Sequence, residues 1–324
     1  MAVELTTRVL NADHDAIAAA ARVLSEGGLV AFPTETVYGL GADATNGEAI
    51  ARLYAAKGRP RFNPLIAHVT SAAAAFAFAR FSFRAKKLAE TFWPGPLTLV
   101  LPKADGCPVS ELATAGLDSI AVRVPAHPVA RDLLKTFGKP VVAPSANQSG
   151  HVSPTTAAHV RADLDGRVDL ILDGGPTDVG IESTIVSCLD MPTLLRPGGL
   201  PREDIERALG HALLDLEHPI SDEAPLAPGM LASHYAPRTP LRLNVRNVRA
   251  GEALLAFGRD VPKAGHVLNL SLTGDLVEAA ANLFSHLRAL DASGVSAIAV
   301  MPISNDGLGE AINDRLARAA APRP

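Results

Sequence analysis

Hydroxyls, glycines, cations and one histidine crowd into residues 32–69, which read FPTETVYGLGADATNGEAIARLYAAKGRPRFNPLIAHV. Thr34, Glu35 and Thr36 stand at the tip of a short apolar run, and Gly39 and Gly41 keep the backbone after them accessible. Lys57, Arg59 and Arg61 gather around Gly58, and Asn63-Pro64 turns the chain into a second apolar run that carries His68. A hydroxyl-rich strand tip beside a cationic loop is how a site for a small polar molecule plus phosphates is built. On charge alone a plainer account fits as well: a helix C-terminus whose Lys and Arg complement its dipole, and a strand that its threonines simply end.

The same double reading holds downstream. Arg123 interrupts the alternating run 119–125 and has to be paired, in a structural salt bridge or with an anionic ligand. Residues 145–150, SANQSG, end a strand with small side chains and hydroxyls that let backbone N–H groups and serines approach phosphate oxygens, although taken alone they make a turn. Ser183 fits a hydroxyl satisfied inside a sheet as well as a ligand contact. His68 fits a satisfied core position or a binding role, and Tyr235 by itself is a packing aromatic. Trp93 beside prolines reads as a core plug, His127 as a cap-region residue, and His151 and His159 as exposed. The residues offer no Ser-His-Asp constellation.

Apolar periodicity supplies the elements that must hold these groups. Strands are expected within 1–10 and at 29–32, 65–69, 97–101, 119–125, 140–144, 168–172 and 181–186, with another ending at Arg196. Helices are expected at 13–26, capped by Asp13 and stopped by Gly27-Gly28, and at 48–57, 71–80, 83–92, 127–137, 155–161 and 201–209. Residues 211–238 lose periodicity and gain prolines, which marks a linker between a first domain, 1–210, and a second, 239–324. The second alternates apolar runs at 253–257, 267–270 and 297–301 with helices at 275–290 and 308–320, an order that predicts a small parallel sheet. A phosphate turn at 305–309 lacks the dinucleotide and P-loop fingerprints.

With 324 residues, 48% apolar and 20% charged, the chain has the composition of a soluble globular protein of two domains. A net charge of -4 argues against a general nucleic-acid coat while leaving room for a local basic cleft. Two cysteines make no disulfide framework and no zinc site by themselves. With no signal peptide and no membrane-length apolar run, the expected location is the cytoplasm.

PTETVYGLG, followed by KGRP, NPL and a strand histidine, resembles the YrdC-like family of L-threonylcarbamoyladenylate synthases. The resemblance continues in PGPLTLVL (94–101), AVRVP (121–125), APSAN-x-SG (143–150), EST (182–184) and LLRPG (ending at Gly198). The HYAP element at 234–237 and GLG-x-AINDRL near the end are similar to the long, two-domain members. The resemblance implies a YrdC-like α/β fold, an open twisted sheet with helices, plus a small Rossmann-like α/β C-terminal domain that gates or docks. It implies a nucleotidyltransferase that makes L-threonylcarbamoyl-adenylate and pyrophosphate from ATP, L-threonine and bicarbonate or CO2. ATP would meet Lys57, Arg59, Asn63, Ser119, Ser145, Ser153 and Arg196, with Tyr235 covering it as a lid. L-Threonine would meet Thr36, His68, Arg123, Ala143 and Ser183, with Thr184 competing for the last place. A carbamate is already an anionic nucleophile, so positioning by Lys57 and Arg59, not a discrete acid or base, would carry the chemistry. Mg²⁺ would be held through phosphate oxygens with few or no protein ligands. The product would pass to a tRNA threonylcarbamoyl transferase complex that modifies N6 of adenosine 37.

Two other function classes are open to the residues. An RNA-binding module without ATP turnover could use the cationic cleft directly, but the arginines sit singly at strand ends and aromatics are only 4%. Whether tRNA binds directly stays open. Carbamoyl-transfer enzymes that use carbamoyl phosphate resemble this domain too, but they carry an acylphosphatase domain and zinc-finger cysteines, and this chain has two cysteines.

Overall fold

Side chains alternate across a strand, so a polar residue between apolar neighbours declares which face is core and which is not. In the computed structural model, which describes residues 5–216 and 234–322, that rule organises two sheets. In chain order the first unit runs β1 (Arg8–Asn11), α1 (His14–Ser25), β2 (Val30–Pro33), β3 (Tyr38–Asp43), α2 (Gly47–Lys57), β4 (Ile66–His68), α3 (Ala72–Ala75) and α4 (Phe83–Phe92). It continues with β5 (Leu97–Pro102), β6 (Ser119–Arg123), α5 (Pro128–Phe137), β7 (Val141–Val142), α6 (Ala157–Leu164) and β8 (Leu170–Asp173). β9 (Thr184–Ser187), β10 (Thr193–Arg196), α7 (Arg202–Leu209) and β11 (Leu214–Asp215) complete it. These strands form one mixed sheet of eleven, in the order β1-β8-β2-β3-β7-β4-β6-β5-β9-β10-β11.

The helices begin and end where their caps dictate. Asp13 accepts from the Ala16 N–H to start α1, and Asn46 accepts from Glu48 and Ala49 to start α2. Gly58 ends α2 in the left-handed region, at φ +61°, and this releases the chain into the cationic loop. α1 and α5 pack together on one side over Val30, Phe32, Leu170 and Leu172. The largest core joins the opposite faces of the same strands to α2, α4 and α6.

The second unit holds β12 (Leu241–Arg242), β13 (Glu252–Ala256), β14 (Val267–Asn269), α8 (Leu276–Asp291), β15 (Ala297–Val300) and α9 (Leu308–Ala320). Its four strands are all parallel, ordered β12-β15-β13-β14. The parallel sheet and its Asp275-capped helix follow the periodicity, but only β14-α8-β15 is a strand-helix-strand crossover. β12 to β13 and β13 to β14 are joined without a helix.

Several expectations are corrected. The glycines after Thr36 do not lie in an accessible loop; they belong to the wholly buried central strand β3. A Cβ on Gly41 would lie 2.9 Å from the Phe32 ring and 3.0 Å from Val141, and one on Gly39 would lie 3.1 Å from the Ala143 Cβ. Close packing of strand neighbours requires these glycines. The helix expected at 71–80 is regular only at Ala72–Ala75, and Ala79 then makes a bridge to Lys103 that an α-helix would prevent. The first unit extends past residue 210, because β11 adds in parallel to β10. Of the expected linker, residues 217–233 lie outside the described residues, as do 1–4 of the N-terminal strand region. His151 and His159 are half-buried: His151 Nδ1 stands 3.7 Å from an Asp163 oxygen, and burial pushes His159 down to about 4. Trp93 is half-buried on the main core and donates to the Leu97 carbonyl at 2.7 Å. His127 caps α5, accepting from Val129. Cys107 and Cys188 are free thiols.

Candidate active site

Strand alternation places the polar residues. In β4, β5 and β6 the residues Ala67, Leu97, Leu99, Ile120 and Val122, with Leu65 just before β4, enter the main core, and their alternates Ile66, His68, Val100, Ala121 and Arg123 share the opposite face. Parallel pairing sets His68 beside Arg123 and Ile66 beside Ala121. The turn between β2 and β3 closes over this face. Thr34 ties that turn together, accepting from the Val37 N–H at 3.3 Å and donating to the Val37 carbonyl at 2.7 Å.

At one end of the resulting cavity the Arg123 guanidinium is buried, with each of its three nitrogens making one hydrogen bond. Nη2 donates to Glu35 Oε1 at 2.6 Å, Nη1 to Thr36 Oγ1 at 3.0 Å and Nε to the Gly95 carbonyl at 3.3 Å. Burial pushes the Glu35 carboxyl up, but Arg123 and the Ala126 N–H outweigh it and hold the group below the usual carboxylate range. The ion pair foreseen as one alternative for Arg123 is thus present, at the wall of a cavity. His68 Nδ1 stands 3.2 Å from the Ile66 carbonyl, an acceptor that suits a protonated Nδ1. Burial, then the Arg123 charge, pushes this imidazole down to about 3, and it is neutral at physiological pH. Ser183 shares a proton with Thr98 across 2.8 Å and lines the cavity. Thr184 instead bonds the Leu200 backbone at 2.6 Å, which separates two residues that the sequence left ambiguous.

The other end is cationic. Arg59 and Arg196 both reach the cavity from buried positions. Arg59 bonds the carbonyls of Asn63 and Pro64 at 3.4 and 3.1 Å, and burial pushes it down to about 10. Arg196 Nη2 bonds the Ser183 carbonyl at 2.8 Å. Lys57 stands behind them, its ammonium donating to the carbonyls of Ser145 and Asn147 and so holding the turn that brings Ser145 to the cavity. Burial and the neighbouring Arg59 lower Lys57 well below an ordinary lysine. Ala143 also lines the cavity and donates its N–H to the Ile66 carbonyl at 3.1 Å.

Lys57, Asn63, Ser119 and Ser153 do not line the cavity itself. Ser119 occupies the far end of β6 from Arg123, roughly 13 Å along the strand. The Asn63 side-chain oxygen is buried with no partner among the described residues. Ser153 is fully buried and donates to Glu182, which leaves it only lone pairs to offer elsewhere. Arg61 is exposed.

Over the cavity lie His234 and Tyr235. The Tyr235 ring meets His234 edge-on at 4.0 Å and stacks on Phe284 of α8 at 5.8 Å, and its hydroxyl has no partner among the described residues. With these residues seated, the free volume is about 40 Å3, against roughly 300–1,000 Å3 for an ordinary ligand pocket. Burial, with Arg59, Lys57, Arg196 and Arg315 around it, keeps His234 neutral.

Sequence reasoning placed Glu35 at the polar strand tip without giving it a role, and it missed Thr98, Glu182, His234 and Arg315 as parts of this site. Glu35 and Glu182 stood inside the recognised PTET and EST motifs, so their buried carboxylates were available as a signal. Arg315 stood inside the recognised GLG-x-AINDRL motif, but nothing along the chain shows that α9 reaches across to Glu182.

Residues 22–198 match the family model Sua5_yciO_yrdC, described as "Telomere recombination", and residues 200–321 match "Threonylcarbamoyl-AMP synthase, C-terminal domain". The threonylcarbamoyl-AMP synthase of Bacillus subtilis is 42% identical, with 98% of this chain and 96% of that protein covered. That of Pyrococcus abyssi is 43% identical, with 94% of each covered. The structure of P. abyssi Sua5 complexed with L-threonine superposes with a TM-score of 0.87 over 98% of each chain, at 40% identity. A variant of that protein in which an adjacent histidine and tyrosine are replaced by alanine superposes equally well. Escherichia coli YciO, 22% identical with a TM-score of 0.53 over 60% of this chain and 96% of that one, shares the fold. By these matches over nearly its whole length, the chain belongs to the Sua5 family of threonylcarbamoyl-AMP synthases.

Proposed function

We propose that this protein joins L-threonine, bicarbonate or CO2, and ATP into L-threonylcarbamoyl-adenylate, with release of pyrophosphate. The observation that carries the reading is the polarity of one cavity in a member of this family. His68, Arg123 and Thr36 gather on one side and the buried guanidiniums of Arg59 and Arg196 on the other, with Ser183, which Arg196 bonds, between them. A zwitterionic amino acid suits the first end and a polyphosphate the second. The threonine amine adds to CO2 and loses a proton to give a carbamate. A carbamate oxygen then attacks the α-phosphorus, and the bond to the β-phosphate oxygen breaks as pyrophosphate leaves. The protein's part is to hold the two anions in line and neutralise the charge that builds between them. Ser145 and the backbone held by Lys57 orient the phosphates. Ser153 is buried off the cavity with its proton committed to Glu182, so it would offer a nucleotide that reached it only lone pairs, which suit a hydrogen-bond donor and not a phosphate oxygen.

Mg²⁺, carried on the phosphate oxygens, would draw charge away from the α-phosphorus. Glu35 and Glu182, the carboxylates nearest the cavity, are committed to Arg123 and to Arg315 and Ser153, so the residues fit a cation held by phosphates and water. A cavity of 40 Å3 does not admit ATP, so Tyr235 is displaced on entry and returns as a lid. Its backbone, at φ +62°, is in a region that non-glycine residues rarely adopt. The cations of the site are buried, so they do not form a surface on which RNA could lie. The adenylate is then consumed by a separate complex acting on tRNA.

Pyrophosphate release with each cosubstrate omitted in turn, followed by mass detection of the adenylate, tests this. Release should need L-threonine and bicarbonate together, fail with L-serine and fall at least about a hundredfold in Arg59→Ala. Release that ignores the amino acid would sink the proposal.

A further inference from the structure

Arg315 belongs to α9 of the second unit, yet its side chain is fully buried against the site of the first. Nε donates to Glu182 Oε2 at 2.7 Å and Nη2 to the Pro197 carbonyl at 2.9 Å, and Nη1 is held by Asp314 of the same helix. The other Glu182 oxygen accepts from Ser153. The guanidinium also stands 5.0 Å from the centroid of the Tyr235 ring, which Phe284 backs. One side chain of the second unit therefore fixes a carboxylate of the cavity wall and touches the residue that covers it.

Apolar packing joins the units beside this arginine. Val37, Val152 and Ile181 of the first unit are continuous with the apolar core of the second, and the Gly180 backbone meets α8 so closely that a Cβ would lie 2.5 Å from the Ala280 carbonyl oxygen. A buried ion pair adds little net stability over such apolar contact, but it specifies geometry, because each charge must find its partner. We propose that Arg315 is a positioning residue for the nucleotide end of the site: it aims Glu182 at the Ser153 hydroxyl and seats the Tyr235 ring, so that docking of the second unit and assembly of the ATP subsite are one event.

The proposal rests on the synthase reading, so two measurements are kept apart: ATP binding by calorimetry and steady-state pyrophosphate release, both on the full chain. Arg315→Met should raise the KM and the Kd for ATP about tenfold while the KM for L-threonine stays within about twofold. That variant leaves Glu182 charged and buried and can fail to fold. Glu182→Gln with Arg315→Met removes the stranded charge and keeps an acceptor for Ser153. It should recover the melting temperature but not the ATP affinity. Arg315→Lys retains the charge without the planar fork and should fall between. Wild-type ATP affinity in the double variant, or equal losses for both substrates, would overturn the proposal. If the wild-type chain binds ATP but releases no pyrophosphate, the synthase reading fails and the binding series still decides Arg315. If it does not bind ATP, both fall.

Discussion

His68 shows how surroundings define a residue's chemistry. A histidine in an apolar strand could be a base, a ligand or a satisfied core group. Burial and the adjacent Arg123 charge settle its protonation, holding it down to about 3. A histidine with a depressed pKa binds fewer protons in the folded than in the unfolded state. Its stabilising contribution is present above the unfolded value near 6.5 and is lost as pH falls toward 3. At about 1.4 kcal/mol per pKa unit, the loss is on the order of 3 kcal/mol between pH 7 and pH 4. Unfolding curves across that range should therefore fall more steeply for the wild type than for His68→Gln. Parallel curves would show that His68 does not carry the difference. Within the same range His68 stays neutral when folded, so it can offer a ligand only a neutral hydrogen-bonding ring.

At the scale of elements, glycines divide into those that turn the chain and those that let elements approach. Gly58 ends α2 at φ +61° with nothing within 4 Å of a Cβ, so Gly58→Ala meets backbone strain alone and should cost about 1 kcal/mol. Gly180 has φ +76° and a Cβ there would strike the α8 backbone, so Gly180→Ala adds a clash at the contact between units and should cost about 3 kcal/mol or more. Thermal melts of the two variants should differ in that order. Limited proteolysis should release the second unit only in Gly180→Ala, and identical behaviour would mean that the contact is dispensable. The distinction was not visible along the chain. Gly39 and Gly41 read as ligand-approach glycines beside a hydroxyl-rich tip, when it is Ala143 beside Gly39, and Phe32 and Val141 beside Gly41, that crowd a side chain there. Caps, by contrast, are local hydrogen bonds over three or four residues. Asp13, Asn46 and Ser82 were legible, or could have been, for that reason.

Across the whole molecule, the second unit is part of the site. Tyr235 is held between His234 and Phe284, and Glu182 is paired with Arg315. A chain ending at Asp215, which retains β11, would expose Val37, Val152 and Ile181 and leave Glu182 without its main partner. Pyrophosphate release by such a truncation should drop by more than about tenfold, with increased binding of a hydrophobic dye. Full activity in the shortened chain would remove the lid assigned to Tyr235.

What the sequence determined by itself was local or repeated. Apolar patterning marked the strands that carry His68 and Arg123, caps and glycines bounded the helices, and the ordered motifs pointed to the family. The tertiary structure alone decided the pairings over long separations: Arg123 with Glu35, Ser183 rather than Thr184 at the cavity, Ser153 with Glu182, and Glu182 with Arg315. The physical reason is that a buried charge must be paired, but many partners at many distances satisfy that demand equally. Which one is met depends on how the strands order themselves and where the second unit docks, and neither is encoded in any short stretch of chain.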